Sequence, residues 1–108
     1  MKIILSTLAL AFCALAAPSL SYAQNPPAQA LYVRSLAATC ANCHGTDGKA
    51  VPGSALLSIA GMEKSYIAAQ LRAFKSGARP ATVMHQISKG YSETQIDVLA
   101  GYFAAQKK

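Results

Sequence analysis

No segment of this 108-residue chain alternates apolar and polar residues as a half-buried strand does, so no sheet is expected. Dense lysine or arginine runs are missing too. The 10 Lys and Arg are scattered among only 4 Asp and Glu, for a net charge of +6. Such a dispersed excess argues against nucleic acid as a partner; it suits docking onto an acidic protein surface, or serves solubility alone. Cysteine is scarce, at 3 residues. That leaves no second cysteine pair and only His85 as a further histidine, too few donors for a four-ligand structural zinc site. Internal repeats and low-complexity tracts are absent. The long apolar run at residues 3–17 falls short of the about 20 residues needed to span a bilayer.

That run has a different use. It follows Met1-Lys2, is broken at Pro18, and leads to Ser21-Tyr22-Ala23, with small residues where a signal peptidase reads. A basic start, an apolar middle and a small-residue exit form a secretory signal peptide. Residues 1–23 are therefore expected to be cleaved, leaving a single domain at 24–108, exported to the periplasm and without stable membrane insertion. A lipid anchor on Cys13 is disfavoured by the bulky Phe12 before it.

The mature chain reads as all-α, with four to five helices. Ala28 to Thr39 is helical and runs directly into Cys40. Gly45, Gly48, Pro52 and Gly53 make a loop. Glu63 to Ser76 places Tyr66, Ile67, Leu71 and Phe74 at helical spacing and stops at Gly77. Pro80 opens a short helix carrying Met84 and His85. Ser92 and Gln95 form a capping box for the last helix, whose buried stripe is Ile96, Leu99, Ala100 and Phe103. Glu93 and Asp97 suit its positive end, and Lys107 and Lys108 its negative end.

Cys40-Ala41-Asn42-Cys43-His44 carries the chemistry. Two thiols three positions apart can add across the two vinyl groups of one haem, and the following histidine then lies under the iron. A thioredoxin-like pair would need a βαβ frame, and a plain disulfide would leave His44 unexplained. One covalently bound haem c on Cys40 and Cys43, with His44 as proximal ligand, is the reading. For the second axial position the candidates are Met84, His85 and Met62. Met84 is favoured, because it lies beyond a whole helix and the chain has room to pass the haem edge. His85 is its neighbour on a helical turn and points about 100° away. Met62 reads more simply as a packing residue. Pro52 is the candidate carbonyl for the other imidazole nitrogen. Tyr66, Phe74 and Tyr91 either line the pocket or belong to the core, and Arg79 is either a propionate partner or a solvated arginine.

The mature chain resembles the class I cytochromes c, and among them the cytochrome subunit of flavocytochrome c sulfide dehydrogenase. The resemblance rests on Cys-Ala-Asn-Cys-His-Gly-Thr-Asp-Gly at 40–48, Ser-Ile-Ala at 58–60 and Phe-Lys-Ser-Gly at 74–77. It continues through Ala-Thr-Val-Met at 81–84, Lys-Gly-Tyr-Ser at 89–92 and Ala-Gly-Tyr-Phe at 100–103. It implies a small class I fold packed around one haem, and Met84 as the second axial ligand. It further implies one-electron transfer as the accepting subunit or partner of a flavoprotein sulfide dehydrogenase. A free-standing carrier between respiratory complexes, serving another redox protein with an acidic surface, is the second expectation. A haem enzyme or sensor with an open iron position is the third.

Overall fold

A computed structural model describes residues 28–108. The signal peptide expected at residues 1–23 lies outside the described residues. Among the described residues there are four α-helices, α1 (Ala28–His44), α2 (Lys64–Ser76), α3 (Met84–Lys89) and α4 (Glu93–Ala104), with a 3₁₀ turn at Thr46–Gly48 after α1. No strand occurs among the described residues. The all-α expectation holds.

Each boundary has a local cause. α1 does not stop at Thr39 but continues through the Cys40–His44 motif, because nothing before Gly45 breaks a helix. Gly45 takes a φ of 80° and ends it. α2 starts one residue later than its pattern suggests, with extended Glu63 as its cap, and Gly77 closes it in the left-handed conformation. Pro80 does not open α3. Residues 80–81 are irregular, 82–83 form a bend, and the helix begins at Met84. α4 carries the expected capping box, with Ser92 Oγ accepting from the Gln95 amide and Gln95 Oε1 accepting from the Ser92 amide. It ends at Ala104, so Lys107 and Lys108 lie past its last turn rather than in it.

The core is small and centred on α4. Ile96, Leu99, Ala100 and Phe103 are buried there against Ala37 of α1 and Ile67 and Ala68 of α2. Alanines at the crossings let the backbones approach closely, while Leu99 and Phe103 fill the space between. α2 packs on both α3 and α4, and α1 packs on α4 and on the 3₁₀ turn. Arg72 and Lys75 of α2 add an ionic ladder across to α4. Arg72 Nε reaches Glu93 at 2.8 Å, its Nη2 reaches Asp97 at 2.7 Å, and Lys75 Nζ reaches Glu93 at 3.2 Å. These hydrogen bonds hold the Glu93 carboxyl below the ordinary carboxylate range. The ladder is solvent-exposed, so it aligns the two helices more than it stabilises them.

Candidate functional site

Between α1, the loop at 55–59, α2, α3 and α4 lies an apolar cavity of about 260 Å³. Cys40 and His44 of α1 line it, as does Met84 at the first turn of α3. The sequence separates His44 from Met84 by a loop and a helix; the fold brings both to one space. Cys43 sits one position before His44 on α1, is exposed, and is not among the lining residues. Met62 also lines the cavity, whereas His85 does not.

His44 is oriented by the backbone opposite. Its Nδ1 lies 2.7 Å from the Leu57 carbonyl oxygen, so Nδ1–H donates there and Nε2 carries the free lone pair. This corrects the choice of Pro52, which is exposed and lies earlier in the loop. The loop is brought to this position by Gly48. The Gly48 carbonyl accepts from the Ile59 amide at 2.8 Å, the Ala60 amide at 3.0 Å and the Ser58 hydroxyl at 2.9 Å. Those three bonds fold residues 58–60 back onto the 3₁₀ turn and bring the Leu57 carbonyl over the end of α1. The Gly61 amide, donating to the Phe103 carbonyl at 2.8 Å, fastens the loop to α4.

The cavity wall is Leu56, Leu57, Ile59, Tyr66, Ile67, Leu71, Phe74, Leu99 and Phe103, with Gln70 and Arg79 as its polar members. Tyr66 and Phe74 line it, while Tyr91 lies outside the lining and packs against the core instead. The Tyr91 hydroxyl meets Thr39 Oγ1 at 2.8 Å. Arg79 is at the cavity and not merely solvated. Its guanidinium carbon is 4.8 Å from the Phe74 ring centroid, and Nη1 donates to Gln70. Burial pushes the Cys40 thiol up, which the Thr39 and Tyr91 hydrogen bonds partly oppose.

Sequence reasoning did not find the Leu56–Leu57 wall. The signal was present, since two leucines stand together in a loop otherwise rich in Gly, Pro and Ser. Leu56 and Leu57 are 49% and 58% exposed along this cavity, and such apolar surface is suited to covering a flat apolar ring system. Beside the Cys40 sulfur, the side chains lining the space that suit an iron are the His44 imidazole and the thioethers of Met62 and Met84. They suit an iron whose remaining ligands come from a macrocycle. The residues fit haem c.

No family model matches the sequence. It is 42% identical over 73 residues to the cytochrome subunit of sulfide dehydrogenase from Chlorobaculum tepidum, covering 68% of this chain and 64% of that protein. It is 38% identical over 92 residues to the thiosulfate dehydrogenase electron acceptor of Thiomonas intermedia, covering 85% of this chain and 38% of that protein. With cytochrome c4 of Pseudomonas aeruginosa the identity is 34% over 71 residues, covering 66% of this chain and 35% of that protein. The chain thus spans less than two thirds of the length of each of these relatives. Two of the names mention a dehydrogenase, of sulfide in one and thiosulfate in the other, and two name a cytochrome. The haem c spacing on a helical frame gives that likeness its physical basis: the chain belongs to the class I cytochromes c, whose cofactor is covalently bound haem c.

Proposed function

We propose that the chain is a periplasmic electron-transfer cytochrome whose signal peptide, residues 1–23, is removed to leave the domain at 24–108. Cys40 and Cys43 hold one haem c through thioether bonds, and His44 and Met84 are the axial ligands of its iron. The observation that carries this reading is that Cys40, His44 and Met84, from two helices far apart in sequence, line one apolar cavity. When bound, the haem supplies a one-electron iron couple.

The chain's own residues set how that couple behaves. His44 donates Nδ1–H to Leu57 and so presents Nε2 in a fixed tautomer and orientation. The Met84 thioether favours the reduced state and raises the potential. Ile59, Leu71, Phe74 and Leu99 exclude water around the site, which leaves little solvent to rearrange when the charge changes by one.

The electron donor proposed is a flavoprotein sulfide dehydrogenase, on the strength of the resemblance and of the Chlorobaculum tepidum relative. Surface charge supports a protein partner with an acidic face. Glu93 and Asp97 are paired with Arg72 and Lys75, which leaves Asp47 and Glu63 as the acidic residues outside the ion pairs of the described residues. The unpaired charges are therefore predominantly basic, among them Arg34, Lys49, Lys89 and Lys107. Reduction by sulfide only in the presence of the flavoprotein is the expected result. Equally fast reduction by unrelated donors would favour a free-standing carrier instead.

The ligand assignment is tested on the ferric holoprotein. The wild type should show the weak methionine-to-iron charge-transfer band and, when reduced, bind carbon monoxide poorly. Met84→Ala should lose the band and bind carbon monoxide readily. Avid carbon monoxide binding by the wild type would instead indicate an open iron position and end the electron-transfer reading.

A further inference from the structure

We propose that Tyr91 is a latch that holds the Met84-bearing helix at a set distance from the helix carrying Cys40 and His44. The inference rests on the reading of Met84 as an axial ligand and goes beyond it, because it concerns what keeps that ligand in place. α3 is only six residues long and packs on α2, with no comparable packing on α1. The two axial residues therefore sit on helices that do not directly support one another. Between α3 and α4 the chain has only Gly90, Tyr91 and Ser92, and Tyr91 is where this segment reaches α1.

The geometry gives the bond a direction. Thr39 Oγ1 is 2.7 Å from the Leu36 carbonyl, to which its own hydroxyl donates. Its lone pairs are left to accept, and the Tyr91 hydroxyl, 2.8 Å away, donates to them. Thr39 immediately precedes Cys40, and its oxygen is 3.8 Å from the Cys40 sulfur. The latch thus closes on the turn that bears the first thioether. The other end of the tyrosine is also held, since Lys75 Nζ of α2 donates to the Tyr91 carbonyl at 2.6 Å. Among the described residues, the Tyr91 hydroxyl is the hydrogen-bonding contact between α1 and the segment from Met84 to Tyr91, to Thr39 Oγ1 and toward the Cys40 sulfur beside it. Without it, the Met84 helix is held chiefly through α2 and the covalent chain. Met84 should then leave the iron more easily.

Binding of exogenous imidazole to the ferric holoprotein reads this out, since imidazole takes the position that methionine gives up. Tyr91→Phe keeps the ring and removes the donor; Thr39→Val keeps the shape and removes the acceptor. Each is expected to strengthen apparent imidazole binding about fivefold, the effect of one net hydrogen bond. The double variant should go no further than either single one, because both remove the same bond. Tyr102→Phe, which breaks a hydroxyl bond to Asp47 elsewhere on the surface, should bind imidazole as the wild type does. Wild-type affinity in Tyr91→Phe, or an equal gain in Tyr102→Phe, would overturn the latch while leaving the axial assignment intact. Absence of the methionine–iron band in the wild type would overturn that assignment and the latch together.

Discussion

At the scale of single residues, the site depends on Gly48 as much as on the side chains that face the cavity. This glycine is buried with a φ of 78°, and its carbonyl gathers three donors from residues 58–60. A Cβ added there would lie 2.8 Å from both Ile59 Cγ1 and Phe103 Cδ1. Gly48→Ala combines left-handed strain with overpacking, and should lower stability by about 2–4 kcal/mol. Urea denaturation of the holoprotein checks this, and an unchanged midpoint would contradict it. Gly45 was readable in advance as part of the loop after the motif. The packing role of Gly48 was not, because a glycine in a loop-rich stretch does not announce which side chains will close over it. The same limit applies to His44. The need for a carbonyl partner follows from imidazole chemistry, but Leu57 replaced Pro52 because Gly48 decides how the loop folds back.

At the scale of elements, capping and periodicity carried most of the information. α4 is the clearest case, since Ser92, Gln95 and the stripe Ile96, Leu99, Ala100 and Phe103 all appear as their spacing implies. Ser92→Ala should cost about 1 kcal/mol by freeing the Gln95 amide and opening the box. A lowered thermal midpoint with an unchanged haem spectrum is the expected outcome. α3 was harder to read. Proline at position 80 is compatible with a helix start, but residues 80–83 stay non-helical and place Met84 at the first helical position. The motif helix was longer than expected for the opposite reason. Cysteine, asparagine and histidine are indifferent helix formers, and continuity with the alanine-rich segment before them prevails until Gly45.

For the molecule as a whole, the balance of burial predicts dependence on the cofactor. The buried core cluster is limited to a few side chains of α1, α2 and α4, and an apolar cavity opens between these helices, α3 and the 55–59 loop. Replacing Cys40 and Cys43 together by alanine should leave a chain that does not unfold cooperatively, because the largest apolar surface would have nothing to pack against. Far-ultraviolet circular dichroism with urea titration tests this. A sharp transition at wild-type amplitude would show that the protein core is sufficient alone.

The haem attachment spacing at Cys40–His44 was determined by sequence alone, because covalent reach along one helical turn is local. So were the helical class, the cap of α4 and the basic surface, each set by neighbouring residues or by composition. Only the tertiary structure decided that Met84, not His85, faces the cavity with His44, and that Leu57 orients the imidazole. It also decided that Tyr91 reaches back to Thr39. These are contacts between elements, and they follow from how Gly48 folds the loop and how α2 packs against its neighbours on both sides.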